Sequence, residues 1–424
     1  MTGGYDGQAM KAEIIAIGSE LLTPDRIDTN SLYLTQKLNE AGFEVSLKSV
    51  VGDNADDIES LVRAALQRSR LIVLCGGLGP TEDDLTRVAT ARALRRGLTL
   101  HAEILEALRR RFAKRGYQMA RINERQAEVI DGAEILNNPV GTAPGMWIEE
   151  SGAFLVLLPG PPRELQAMFE SQVLPRAFRL GSQKRLKQTS LSLHGLPESE
   201  VDTRIAPIYK NYPQIQTTIL AVKGCISVRL QRWLGPDERA ADLEELAGRI
   251  HAELGNDVFT TTDETLEEVV GRLLRQSGRS LAVAESCTAG MVASAITRVP
   301  GSSDYFRGGV ICYSNELKAD LCRVPNELLE RHGAVSAEVA EALACGARAL
   351  AHSSVGLSVT GIAGPGGGSE QKPVGLVYVG LADETRRVHA RRVFPGDRAT
   401  VRELATSLAL GRLRRFLLRA GETA

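Results

Sequence analysis

The stretch AESCTAG, Ala284–Gly290, sets a serine beside a cysteine where the apolar run SLAV gives way to a helix-like segment. Either side chain is a nucleophile once activated. A cysteine needs a base or cation to become thiolate. The histidines of this part of the chain, His332, His352 and His389, stand in no glycine-rich or turn-like setting. Cys287, among small residues, therefore reads as packing. Ser286 ends a strand, and the helix start from Thr288 onward offers N–H donors to an oxyanion or a phosphate. Its hydroxyl still needs a base, and lysine of depressed pKa is the alternative to histidine. From Thr265 to Ala424 there are eighteen arginines and only two lysines, Lys318 and Lys372. Arginine does not release its proton in a protein, so the base is one of those two. Lys372 lies in the loop GPGGGSEQKP. Lys318 follows Tyr313–Glu316 just after the strand-like GGVICY. Tyr313 and Lys318 thus leave the end of a neighbouring strand, where they would face Ser286. On the residues alone, the alternative is a surface lysine and a strand tyrosine. Glu285 is expected to orient its neighbours, its other reading being a charge at a helix N-terminus.

A second chemical stretch is GGLGPTEDD, Gly76–Asp84, between the apolar run LIVLC and the segment LTRVATARALRRG. Gly76, Gly77 and Gly79 let backbone N–H groups approach a ligand, and the helix start favours an anion. Thr81 with Asp84 fits a capping pattern, which leaves the glycines and the other acids unexplained. Carboxylates beside a phosphate repel it unless a divalent cation bridges them. The loops GSELL with Ser19 and Glu20, NNPVGTAPG with Asn138, and LPGPPREL are individually only turn-forming stretches. Together they would line the carboxyl edge of a parallel sheet, where such folds bind ligands.

These stretches need elements to hold them. AEIIAIG, EVSLKSVVG, LIVLCGG and FLVLLPG read as strands alternating with helices, the pattern of βαβ units and a parallel sheet. From about 182 to 262 the texture changes to half-exposed strands with two helices, a small α+β domain. From Thr265 the βα rhythm returns and closes with a helix over Leu404–Leu418. The 424 residues carry 51 basic against 52 acidic side chains, which argues against a protein dominated by nucleic-acid binding. Six cysteines show neither CxxC pairing nor zinc spacing with histidine. No signal-peptide pattern and no membrane-length apolar run is present, so a cytoplasmic location with no membrane partner is expected. Residues 1–10 read as a loose tail.

GSELL, TNS, GGLGPTEDD, NPVGTAPG and LPGPPREL closely resemble the N-terminal half of the CinA (competence/damage-inducible) family, itself similar to molybdopterin-binding domains of the MoaB/MogA type. AESCTAG, GGVICYSNELK, GAVSAEVA, SVTGIAGPGGG, KPVGLVYVG and FPGDR resemble the family's C-terminal domain, which is similar to stand-alone nicotinamide-nucleotide amidohydrolases. The resemblance implies an α/β chain in three parts. These are a doubly wound molybdopterin-binding-like domain over 11–175, a KH-like α+β domain over 182–260 and an α/β/α amidohydrolase domain over 263–420. It implies hydrolysis of nicotinamide mononucleotide to nicotinate mononucleotide and ammonia, without a cofactor. Ser286 would be nucleophile, Lys318 base and Tyr313 relay. Glu285, Thr288, Asn315, Thr360, Gly361 and Arg398 would contact substrate. For the first domain it implies ADP-ribose hydrolysis with a divalent metal (Mg, Mn or Co) and K+. There Glu20, Asp83 and Asp84 would serve as metal contacts, and Gly76, Gly77, Gly79, Thr81, Ser19 and Asn138 as substrate contacts. A homodimer and a recombinase partner are further implications. The alternatives are a competence- or damage-associated binding protein that has lost activity, and a molybdopterin-binding protein. The middle part lacks the paired glycines of a true KH loop, VKGC being the nearest stretch, so nucleic acid is not an expected ligand. Two departures from the family pattern are Thr23-Pro24 after GSELL and Ala289, where the family carries glycine.

Overall fold

A computed structural model of the chain describes residues 10–418 apart from Arg115 and Lys223. The expected tail up to residue 9, and Lys223 of VKGC, lie outside the described residues. The chain divides into two compact units, one running to Lys187 with 233–239 added, the other 188–232 with 240–424.

The first unit begins β1 (Met10–Ile17), α1 (Thr29–Glu40), β2 (Phe43–Val51), α2 (Ala55–Leu66), β3 (Leu71–Cys75) and α3 (Thr86–Leu94). It continues with β4 (Leu98–Leu100), α4 (Ala102–Lys114), β5 (Glu128–Ile130), β6 (Glu134–Leu136), β7 (Gly145–Glu150), β8 (Ala153–Leu158), α5 (Pro162–Met168) and α6 (Leu174–Leu180). Six strands form one sheet in the order β2-β1-β3-β8-β7-β6. Its core strands read as unbroken apolar runs because both faces are covered. Ile14, Val73 and Val156 pack on one side, and Ile15, Ile72 and Leu155 on the other. The sheet is parallel through β2, β1, β3 and β8, but β7 and β6 run antiparallel. This antiparallel edge arises because Ser151 (φ 49°) and Gly152 (φ 83°) make a primed turn that folds β8 straight back along β7.

The second unit opens with β9 (Arg185–His194), α7 (Glu198–Tyr209), β10 (Gln216–Val222), β11 (Cys225–Leu234), α8 (Ala241–Leu254) and β12 (Val258–Thr260). Its four-stranded sheet, order β10-β11-β9-β12, carries α7 and α8 on one apolar face, as the α+β reading expects. Then follow α9 (Leu266–Gln276), β13 (Leu281–Glu285), α10 (Met291–Thr297), β14 (Phe306–Ile311), α11 (Asn315–Cys322), α12 (Asn326–His332) and α13 (Ala337–Leu350). The chain ends with β15 (Val355–Gly361), β16 (Leu376–Ala382), β17 (Arg387–Val393) and α14 (Arg398–Leu418). The five-stranded sheet has the order β14-β13-β15-β16-β17, parallel across the first three strands and antiparallel beyond. One face packs Leu281, Val283 and Leu357 against α9 and α14, and the other packs Ala282 and Ala284 against α13. Helix α9 starts with the full capping box of Thr265 and Glu268. Among the described residues no helix is long and apolar enough to cross a membrane.

Candidate functional site

In the first unit the register puts all four motif loops on one sheet edge. Cys75 pairs with Ala16 and Leu158, Met146 with Leu157, and Leu136 with Gly145, so these loops leave neighbouring carboxyl-side positions. The glycines answer to packing as well as to any ligand. A Cβ on Gly76 (φ 106°) would collide with the Ile17 carbonyl, and one on Gly77 (φ 62°) with the Thr86 hydroxyl. Asp84 is consumed by its own turn. It accepts from Gly79 N–H at 2.7 Å, from Thr81 N–H at 2.8 Å and from the Thr81 hydroxyl at 2.6 Å. Asp83 points into solvent, and the Glu20 carboxylate folds back over Gly18. Ser19 pairs reciprocally with Asp53, donating its N–H at 2.7 Å and accepting on its hydroxyl at 3.0 Å. The Asn138 amide donates to Glu164 and Ala143 and accepts from Gly141 and Val140, so it braces its loop rather than facing a ligand. The departure at Thr23 is explained too: its N–H and hydroxyl both donate to the Glu20 carbonyl and close the short turn Ser19–Leu22.

The expected metal set does not fit. Among the described residues no three His, Cys, Asp or Glu side chains converge to hold an ion. A carboxylate whose oxygens already accept three hydrogen bonds, as in Asp84, keeps little capacity for a cation.

The second unit is different. Strand β13 lies between β14 and β15, and Glu285 pairs with Ile311 and Val359. Ser286, Cys312–Tyr313 and Thr360–Gly361 therefore leave three adjacent parallel strands at the same carboxyl edge. Residues 286–290 form a turn, and α10 starts only at Met291. The Ser286 N–H donates to the Val359 carbonyl at 2.9 Å, while none of the described residues hydrogen-bonds its hydroxyl. That hydroxyl sits in a residue only 9% exposed.

Lys318 is 2% exposed, and its Nζ donates to the carbonyls of Tyr313 (3.1 Å) and Ser314 (3.3 Å). Burial depresses its pKa below the ordinary lysine value. A neutral amine has two N–H bonds and one lone pair. With both N–H bonds spent on carbonyls, the lone pair is left to accept a proton. Lys372 is placed elsewhere, its Nζ tied to the His332 carbonyl. Burial pushes the Cys287 thiol up to about 11, which disfavours the thiolate a cysteine nucleophile needs.

Two expectations are corrected. Glu285 does not face substrate: its buried carboxylate accepts from the N–H groups of Gly290 (2.9 Å), Val292 (3.1 Å) and Ala293 (2.8 Å), capping α10. Tyr313 does not bridge Ser286 and Lys318. Its hydroxyl, at an exposed rim, accepts from Arg398 at 2.9 Å, and Arg398 also donates to the Gly364 carbonyl at 3.0 Å. Arg398 thus joins the strand β14 exit to the glycine-rich loop. Asn315 is exposed at the first turn of α11. The Thr360 hydroxyl donates to Ala334 at 2.8 Å, and Gly361 is small because a Cβ would press on β16 at 2.7 Å from the Leu376 carbonyl.

One site residue escaped sequence reading. Arg402 donates from Nε to the Cys287 carbonyl (3.0 Å) and from Nη2 to the Thr288 carbonyl (2.9 Å). It stands one helical turn past Arg398 on α14, a spacing that was available as a signal. Holding both carbonyls fixes the peptide planes of the turn. Among the described residues no oxygen accepts from the N–H of Cys287 or Thr288, and the fully buried Thr288 hydroxyl has no partner. Two backbone amides beside a nucleophile, committed to no backbone oxygen, are the parts of an oxyanion site.

Ala289 has φ 48° and Gly290 φ 95°. A left-handed alanine costs about 1–2 kcal/mol that glycine avoids. Ala289→Gly is therefore expected to stabilise the protein by about 1 kcal/mol after its added unfolded-state entropy is deducted. Thermal denaturation should show a higher midpoint, and a lower one would contradict the strained turn.

Comparison with known proteins agrees with this division. The family description "CinA C-terminal domain" matches residues 263–417, and "Probable molybdopterin binding domain" matches 13–179. A CinA-like protein of Solibacter usitatus is 49% identical over 416 residues, spanning 98% of this chain and 100% of that protein. One from Koribacter versatilis is 47% identical, spanning 96% and 100%. The crystal structure of the competence damage-inducible protein A of Klebsiella pneumoniae is 33% identical over 36% of this chain and 95% of its own, with a TM-score of 0.35. Full-length similarity at this level, with both domain matches in order, shows that the chain belongs to the CinA-like family, joining a molybdopterin-binding-type domain to a CinA C-terminal domain.

Proposed function

We propose that the second unit hydrolyses the carboxamide of nicotinamide mononucleotide, releasing ammonia and nicotinate mononucleotide. The observation that carries this reading is the Ser286 hydroxyl, free of protein partners, at the sheet edge where the buried, pKa-depressed Lys318 reaches from α11 to the Tyr313 and Ser314 carbonyls just past the adjacent strand β14. Ser286 Oγ attacks the amide carbon as its proton passes to Lys318 Nζ. The N–H groups of Cys287 and Thr288 hold the oxyanion; Arg402 fixes that of Thr288 through the Cys287 carbonyl, and the Ala289 N–H, donating to the Ser286 carbonyl, fixes that of Cys287. The proton returns from Lys318 to the departing nitrogen, which leaves as ammonia. Water, deprotonated by the same amine, then releases the acid and restores Ser286. Arg398, bonded to Tyr313 and Gly364 at the rim, is the guanidinium for the nucleotide phosphate.

The purified full-length protein should release ammonia from nicotinamide mononucleotide at an undiminished rate in the presence of a chelator. Absence of ammonia under these conditions would overturn the reading. For the first unit the expected carboxylates do not converge, so no metal-dependent hydrolytic step is derived for it.

A further inference from the structure

Two thiols that the hydrolytic reading leaves unused stand beside Lys318. Cys312 is the first residue past β14, and Cys322, ten positions on, is the last residue of α11. Both are buried, at 0% and 2% exposure, in one apolar cluster with Ala282, Ala284 and Val324. Their thiols lie within hydrogen-bonding reach of each other. That contact, against the effect of burial, holds Cys312 below the ordinary thiol value, and the same contact with burial pushes Cys322 up. Cys312 is therefore the sulfur that ionises first, and Cys322 keeps its proton. The pair is tied to the lysine from both sides. Lys318 and Cys322, four residues apart on α11, share one helix face. Cys312 directly precedes Tyr313 and Ser314, whose carbonyls hold Lys318 Nζ at 3.1 and 3.3 Å.

We propose that Cys312 and Cys322 are a reversible modification site for hydrogen peroxide, and that the disulfide they form disarms Lys318. The second part rests on the reading of Lys318 as the base. The Cys312 thiolate attacks one peroxide oxygen, the O–O bond breaks, and the hydroxide that leaves takes up the proton Cys312 released. The Cys322 sulfur then attacks the resulting sulfenic acid, and its proton departs with the sulfenic oxygen as a second water. The sulfurs have lost two electrons and the peroxide has gained them. A disulfide draws two sulfurs to about 2.05 Å, well inside the separation of two thiols in contact. The end of α11 has little room to follow, because a Cβ on Gly346 of α13 would already meet the Cys322 carbonyl at 2.0 Å. Tyr313 and Ser314 are exposed, so the movement falls on them and turns the carbonyls that orient the amine.

The test treats the full-length protein with hydrogen peroxide, alkylates the remaining thiols and maps the tryptic peptides. Trypsin cuts after Arg307, Lys318 and Arg323, so the two sulfurs fall in separate peptides, 308–318 and 319–323. These should stay joined in the oxidised protein and separate after dithiothreitol. Ammonia release from nicotinamide mononucleotide should fall by at least about tenfold on oxidation and return on reduction, since a misplacement near 1 Å can cost about a hundredfold. Cys322→Ala should keep the ammonia release of the parent and lose its sensitivity to peroxide. Unlinked peptides after oxidation, linkage of either cysteine to Cys345 instead, or joined peptides with undiminished ammonia release would each overturn the proposal. The peptide map of the unaltered protein decides the pairing even if the variant does not fold. Failure of the nicotinamide reading would appear as absent ammonia from the reduced protein; it would remove the second part and leave the modification site standing on the joined peptides.

Discussion

Ser286→Ala is expected to lower ammonia release from nicotinamide mononucleotide by about three to six orders of magnitude, the range seen when a catalytic nucleophile is deleted. The fold should not notice. The Ser286 hydroxyl supports no neighbour, and the backbone bond to Val359 survives the substitution. Stability is therefore expected to stay within about 0.5 kcal/mol of the parent. Residual turnover should come from the N–H groups of Cys287 and Thr288 acting on a bound amide attacked by water. Ammonia assayed against substrate concentration separates the outcomes. A loss in kcat with little change in KM is the nucleophile's signature, whereas a KM effect alone would reduce Ser286 to a binding group. Turnover within tenfold of the parent would remove the serine mechanism.

How far sequence carried the site depended on whether a residue's job was local. Ser286 and Lys318 could be picked out as candidates because elimination works on types: arginine cannot be a base, and Lys372 sits in a loop that the structure ties to the end of α12. The sheet edge was legible because strand ends and glycine turns are short-range features, and the register brings all four loops of the first unit together. What failed was the choice between ligand contact and scaffold. Glu285, Asp84 and Asn138 have the side chains of binding residues, but each spends its oxygens on nearby N–H groups. A short polar side chain next to a turn finds backbone partners within a few residues, and periodicity gives no measure of that competition.

Arg402 failed for the opposite reason, since its partners lie 115 and 114 residues away across the fold. Strand β17 was also unread. RVHARRV is exposed along an edge, so charge replaces the alternation that marks half-buried strands. Ala289 shows the limit of a family pattern. The substitution was visible in sequence, but its cost became definite only with φ at 48°.

Lys318→Met is expected to cut turnover by about two to four orders of magnitude while leaving the fold intact. Methionine fills most of the volume of the buried lysine stem and supplies no lone pair basic enough to take the Ser286 proton. The Tyr313 and Ser314 carbonyls, both in exposed residues, can turn to water when Nζ is gone. The pH dependence identifies the role. Only neutral Lys318 is a base, so kcat of the parent protein should rise with pH through the lowered lysine pKa and level off above it. The methionine variant should show no such rise. Stability gives an independent reading with a defined sign. The folded pKa lies below the unfolded value of about 10.4, so between the two the unfolded chain binds more protons and Lys318 costs stability. That cost is complete below the lowered pKa and vanishes as pH passes about 10.4. Relative to the parent, the variant should therefore be most favoured at neutral pH and lose that advantage steadily in alkaline buffer. Denaturant titrations across that range measure the difference. A constant offset between the two proteins would mean that Lys318 titrates normally in the fold, and the base would have to be sought elsewhere.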